Sequence, residues 1–206
     1  MIEKPVTDFL NELSSRSPTP GGGSAAALSG AMGASLVCMV CNLTLGKEKY
    51  KDVEADVRRL LAQGESLRDA LLAQLEGDIK VYGQVSAAYR LPKGTPAEKA
   101  VRSQAIQAAL KEATMVPLEI ARLCGKVMDL CLPATQKGNV AAVSDAGVGV
   151  AVAEAGLRSA ALNVKINLGM IKDEDFVKEK QRLLDNYLEG KAAFKDDVLR
   201  QVEEKL

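Results

Sequence analysis

The chain has 206 residues, with 27 Lys plus Arg balanced by 27 Asp plus Glu and no His. Zero net charge argues against a general nucleic-acid binder, which needs a basic surplus. The absence of imidazole excludes Ser-His-Asp and Cys-His catalysis and any His-ligated metal site. With 29 Ala and 26 Leu against seven aromatics, the core is small-grained and suits closely packed helices better than a β-sandwich.

Thr7 is placed to cap a short amphipathic helix carrying Phe9, Leu10 and Leu13. Ser17-Pro18-Thr19-Pro20-Gly21-Gly22-Gly23 then reads as the sharpest loop, because two prolines force extended backbone and three glycines free it. Ser24 to Gly46 runs 23 residues without a charge. That length spans a bilayer, but the stretch is rich in small residues, ends in polar Asn42 and Thr44, and carries Gly30 and Gly33 for close packing. It reads as a buried central helix, with no membrane span expected.

From Lys51 to Arg90 apolar residues recur at the 3.6-residue helical period, from Val53, Val57 and Leu60 through Leu67, Leu71 and Leu75 to Tyr82, Val85 and Tyr89. Gly64 and Asp78 interrupt the stripe, and a kink near Gly64 fits a helix of that length. After the turn Leu91–Pro96, Thr95 caps a helix with Pro96 at its first position. It extends to about Lys137 and is expected to bend at Pro117. Gly138-Asn139 ends it. Ser144-Asp145 begins a mostly apolar helix reaching about Leu168, and Asp173 opens the last helix, amphipathic through Phe176, Leu183, Leu184, Tyr187 and Leu188.

These signals predict one all-α domain over residues 1–206, a bundle of five or six helices with no significant β-sheet. Two helices, around 24–46 and 144–168, are apolar nearly all round. One bundle rarely covers both, so a homodimer is expected. Cys38 and Cys41 have C-x2-C spacing, but Cys124 and Cys131 do not complete a metal set, and all four lie in apolar helices as core thiols. No metal or cofactor is expected. The N-terminus has no signal-peptide pattern, which points to the cytoplasm.

Asp78 is the candidate that periodicity singles out: a carboxylate on an apolar stripe, one turn from Tyr82, is costly unless paired or functional. The bland alternative gives the core position to Ile79 and rotates Asp78 to the rim. Asp145 can serve chemistry or, with Ser144, simply start a helix. Lys47, just past Asn42 and Thr44, is either a functional cation or an ordinary helix-end charge. The loop Gly21–Gly23 precedes a helix N-terminus able to bind an anion, but matches neither nucleotide-binding glycine pattern.

The blocks Ser17 to Ala27 (S-P-T-P-G-G-G-S-A-A-A), Met39 to Lys47 (M-V-C-N-L-T-L-G-K) with Tyr50, Asp78 with Tyr82, Val116-Pro117, Gly138-Asn139, Ser144 to Val148 (S-D-A-G-V) and Ala160 to Val164 (A-A-L-N-V) resemble the folate one-carbon cyclodeaminase/cyclohydrolase family. The resemblance covers nearly the whole chain. It implies an all-helical homodimer with a tetrahydrofolate derivative as substrate in a groove. It implies Asp78, Lys47 and Asp145 as catalytic groups, and Pro20, Gly21, Gly22, Gly23, Asn42, Tyr50, Tyr82, Asn139 and Ser144 as substrate contacts. The loop and the M-V-C-N-L-T block look closest to freestanding methenyltetrahydrofolate cyclohydrolases, which hydrolyse 5,10-methenyltetrahydrofolate to 10-formyltetrahydrofolate. The alternative activity is formiminotetrahydrofolate cyclodeaminase, and the competing non-enzymatic class is a helical scaffold. The enzyme reading expects Lys47, Asp78 and Asp145 to converge on one groove, within a subunit or across a dimer interface.

Overall fold

A computed structural model describes all 206 residues. Seven helices form: α1 Val6–Leu13, α2 Gly22–Asn42, α3 Glu54–Tyr89, α4 Pro96–Lys137, α5 Val143–Leu168, α6 Glu174–Leu188 and α7 Lys191–Glu203. Short 3-10 turns at Glu48–Val53 and Val140–Ala142 lead into α3 and α5. There is no strand, so the architecture is the expected all-α bundle.

Local chemistry sets most boundaries. The Thr95 hydroxyl accepts from the Glu98 amide at 3.2 Å while Glu98 accepts from the Thr95 amide at 2.8 Å, a complete capping box ahead of Pro96. Asp173 accepts from the Phe176 amide at 3.1 Å and starts α6. Thr7, by contrast, lies inside α1, which begins after Pro5.

The long helices and the C-terminal segment add three further features. Helix α3 runs unbroken past Gly64, where a Cβ would come 2.8 Å from the Cys38 Sγ, so this glycine lets α2 and α3 approach. Helix α4 continues through Pro117 and Pro133, with Pro117 buried. Burial between α3 and α5 outweighs the backbone bond each proline removes. The C-terminal segment is two helices rather than one. Gly190, at φ +70, takes the left-handed conformation between them, and α7 packs Val198 and Val202 inward, with Val202 against Gly147 of α5.

Helix α2 lies centrally against α3, α4 and α5. It runs antiparallel to α5: Gly22 lies beside Asn163, Ala26 and Gly30 beside Gly156, and Gly33 beside Gly149. All four cysteines are buried thiols, and burial pushes Cys41, Cys124 and Cys131 up to about 12.

By length and composition α2 and the segment Val140–Leu168 could each cross a membrane, yet each gives an inner face to the core. Their outer faces stay open. On α2 and its C-cap the open or half-open positions include Ala25, Leu28, Ser29, Met32, Ser35, Leu36, Met39, Asn42 and Leu43, which together form one face. On α5, Val148, Leu162 and Ile166 are 51%, 68% and 65% exposed.

Candidate active site

The strongest constellation gathers at the N-terminus of α2. Pro20 is buried, and the loop delivers Gly21–Gly23 into the first helical turn, which has no side-chain cap of its own. Asp78, half-buried on α3, comes alongside. The Ser24 hydroxyl, fully buried, donates to Asp78 Oδ2 at 2.7 Å. A Cβ on Gly23 would collide with Asp78 Oδ1, so glycine is what admits the carboxylate. Burial raises the Asp78 carboxyl above its ordinary value, and the Ser24 hydroxyl and amide draw it part of the way back.

Asn163 of α5 closes the third side. Its Nδ2 donates to the Ser159 carbonyl at 2.9 Å, and the amide group lies against Gly22. Tyr82, one turn beyond Asp78, is 44% exposed at the mouth. Both Asp78 and Ile79 hold to the inner side, with Ile79 packed on the core, so the two alternatives posed by the stripe do not compete.

A second constellation sits at the other end of α2. Asn42 is exposed at the helix end. Thr44, buried, donates to the Val40 carbonyl at 2.6 Å and accepts from the Asn139 amide at 2.7 Å. The Asn139 side chain donates to the Leu43 carbonyl and accepts from the Tyr50 hydroxyl at 3.3 Å and the Ala141 amide at 3.2 Å. The Tyr50 hydroxyl accepts from the Val140 amide at 3.1 Å. Asn139 is therefore fully engaged as a clamp that fixes Tyr50. Lys47 is exposed beside this clamp, Ser144 is exposed and Asp145 is half-buried in the first turn of α5.

The two ends are far apart. Ser24 and Asn42 are separated by 18 residues of α2, about 27 Å. Within one subunit the structure joins the glycine loop to Asp78, with Tyr82 one turn on, and separately joins Tyr50 to Asn139, with Asn42 and Lys47 at the C-terminal end of α2 and Ser144 and Asp145 in the first turn of α5. It does not bring Lys47 and Asp145 to Asp78. The well-formed cavities of a single chain also lie elsewhere. One of about 500 Å³ between α3 and α4 is lined by Gln63, Ser66, Lys126 and Asp129, with nothing from either constellation.

Sequence reasoning did not single out Ser24 or Asn163 as site residues. The signal for them was weak: a lone hydroxyl after three glycines, and a lone amide between Leu162 and Val164.

A long-helix bundle sets a half-buried carboxylate against a glycine-rich helix start. The sequence profile described as formiminotransferase-cyclodeaminase matches residues 5–186, and the chain belongs to that family. It is 48% identical over 201 residues to the methenyltetrahydrofolate cyclohydrolase of Methylorubrum extorquens, covering 98% of this chain and 97% of that enzyme. It is 33% identical over 189 residues to the formimidoyltransferase-cyclodeaminase of Gallus gallus, covering 92% of this chain but only 35% of that protein. The crystal structure of formiminotetrahydrofolate cyclodeaminase from Thermotoga maritima superimposes with a TM-score of 0.83 at 28% identity, covering 100% of this chain and 96% of that one.

Proposed function

We propose that the chain is a methenyltetrahydrofolate cyclohydrolase, adding water to 5,10-methenyltetrahydrofolate and releasing 10-formyltetrahydrofolate. The observation that carries this is the 48% identity over nearly the full length of both chains to an enzyme of that name. The formimidoyltransferase-cyclodeaminases are matched over only about a third of their length, at 32–36% identity.

In this reading Asp78 takes a proton from water as the oxygen bonds to the carbon between N5 and N10. The resulting carbinolamine then loses its hydroxyl proton as the C–N5 bond breaks and N5 accepts a proton. One proton is released overall. Burial makes this half-buried carboxyl a stronger base than an exposed one, which suits it to take a proton from water. The helix N-terminus and the Ser24 hydroxyl hold the carboxylate in place. Lys47 is proposed as the proton donor to N5, reached across the proposed homodimer, with Asp145 and Ser144 as further site groups. Gly21–Gly23, Asn42, Tyr50 and Tyr82 are proposed as substrate contacts, and Asn139 acts through Tyr50.

Purified protein should remove the near-ultraviolet absorbance of 5,10-methenyltetrahydrofolate at a rate proportional to enzyme. Absence of that acceleration rejects the assignment. Ser24→Ala removes a bond that favours the ionised carboxylate. The acidic limb of kcat/KM should therefore move to higher pH by about 0.5–1 unit, and an unmoved limb would separate Ser24 from the titrating group.

The proposal includes a cytoplasmic homodimer. The open apolar faces of α2 and α5 motivate it. Sedimentation at micromolar concentration should give about twice the 21.9 kDa chain mass, and a monomer there contradicts it.

A further inference from the structure

We propose that Lys205, in the turn that follows α7, is a positioning residue for the Tyr50 end of the site. Its ammonium group takes over two carbonyls of α4 whose own amides are diverted to build the Asn139–Tyr50 clamp. The role of Tyr50 as a substrate contact rests on the folate reading above, and Lys205 would hold that contact from a distance.

An α-helix leaves its last carbonyls without donors of its own. In α4 the regular ladder ends at Gly138, whose amide donates to the Ala134 carbonyl at 2.9 Å. The next two amides in register would reach the Thr135 and Gln136 carbonyls. Both are turned elsewhere. The Asn139 amide donates to the Thr44 hydroxyl at 2.7 Å, and the Val140 amide donates to the Tyr50 hydroxyl at 3.1 Å. The clamp therefore draws on the very donors that would continue α4. Lys205 answers both vacated carbonyls: its Nζ donates to that of Thr135 at 2.6 Å and to that of Gln136 at 3.4 Å. A cation is favoured there because the helix presents the negative ends of its peptide dipoles. Lys137, the basic residue of the last turn itself, pairs with Asp56 instead.

Helix α7 delivers the ammonium to this place. Lys191, its first residue, pairs with Asp129 and donates to the Gly125 carbonyl at 3.1 Å, which pins the start of α7 to α4. Further along, the Gln201 side chain accepts from that of Gln136 at 3.0 Å. Val198 and Val202 are buried, and Val202 packs on Gly147 in the first turns of α5. Helix α7 thus bridges the end of α4 and the start of α5, the two segments that flank Asn139 and Val140. The family profile matches only as far as residue 186, so this support comes from a segment outside the match.

Two arrangements compete for the Asn139 and Val140 amides: the clamp, and a longer α4. Without the ammonium, the two carbonyls are left to water or to those amides. Each molecule in which the amides return to the helix has released Thr44 and the Tyr50 hydroxyl. Tyr50 then keeps only the Asn139 carboxamide, which itself moves with the backbone. Lys205 removes the incentive for that rearrangement and so biases the junction toward the clamped state.

The test replaces Lys205 by Met, which keeps the aliphatic stem and removes the charge, with Lys205→Gln as a second neutral variant and Lys205→Arg as the conservative one. Hydrogen exchange read at single amides should be faster at Asn139 and Val140 by about 3- to 10-fold in both neutral variants, the scale of a cation lost from a helix C-terminus. KM for 5,10-methenyltetrahydrofolate should rise by about the same factor with kcat within about twofold, because Tyr50 binds substrate without reacting. Lys205→Arg should restore both. In a Tyr50→Phe background the Val140 amide has no hydroxyl to reach, so Lys205→Met should add nothing further to KM. Lys195→Met, on the same helix but paired with Asp196, should change neither readout. Unchanged exchange at both amides overturns the proposal, as does a KM effect that Lys205→Arg does not rescue or that adds in full to Tyr50→Phe. A lowered Tm with unaltered KM makes Lys205 a structural cap and also overturns it. If the wild type turns over only 5-formiminotetrahydrofolate, the cyclohydrolase reading fails and KM is read with that substrate. If it acts on neither folate, the functional reading fails, and exchange at Asn139 and Val140 alone decides for or against the Lys205 contact.

Discussion

Asp78→Asn should lower kcat for hydrolysis of 5,10-methenyltetrahydrofolate by about 10²–10⁴-fold, the range for loss of a positioned general base, with a smaller change in KM. The substitution keeps the shape and one oxygen that accepts the Ser24 hydroxyl, so the loop and α2 should stay in register. It should also raise the melting temperature at pH 7. Burial lifts the carboxyl in the folded protein above its unfolded value, so folding is favoured by its protonated form. That contribution is present at acidic pH and is lost as pH rises through the raised value. The uncharged amide does not suffer this loss, so its stability advantage over wild type should grow from pH 4 to pH 7. An Asp78→Asn protein with wild-type kcat, or one less stable at pH 7 than at pH 4 relative to wild type, would place the residue outside both roles.

The second large effect is on stability. Gly156 sits where α5 meets α2, and a Cβ there would come 2.9 Å from the Ala26 carbonyl oxygen and 3.1 Å from the Gly30 amide. Both neighbours are backbone within a helix and cannot turn aside. Gly156→Ala should therefore destabilise by about 1–3 kcal/mol through overpacking, lowering Tm by about 2–4 °C per kcal/mol in a chain of this size. At Gly83, in α3, a Cβ would meet no other atom within 4 Å. Gly83→Ala should stabilise by about 0.5–1 kcal/mol through helix propensity. Opposite signs from one chemical change would confirm close α2–α5 backbone contact. A neutral Gly156→Ala would mean that the two helices can separate without cost.

The features legible in the sequence were those written into short segments. Thr95, Pro96 and Glu98 carry a helix start in their own chemistry. The α3 stripe marked Asp78 because a single acid broke an otherwise regular apolar period. Pro117 does not end its helix, because its cost is local while the burial that outweighs it comes from α3 and α5. The break at Gly190 was missed because the pattern on either side is amphipathic, and only the left-handed backbone separates α6 from α7.

The candidate site was legible in parts but not in its assembly. Motifs named both ends of α2 without indicating that about 27 Å of helix lies between them. Ser24 and Asn163 gain meaning only from contacts 54 residues away with Asp78 and across the helix pair with Gly22, distances at which local pattern carries no information.

The most direct measurement offers the purified protein 5,10-methenyltetrahydrofolate and 5-formiminotetrahydrofolate in parallel, following loss of near-ultraviolet absorbance from the first and release of ammonia from the second. A cyclohydrolase hydrolyses the methenyl compound to 10-formyltetrahydrofolate with a kcat/KM well above that for ammonia release. Ammonia release that is the faster of the two would contradict this and make the chain a cyclodeaminase.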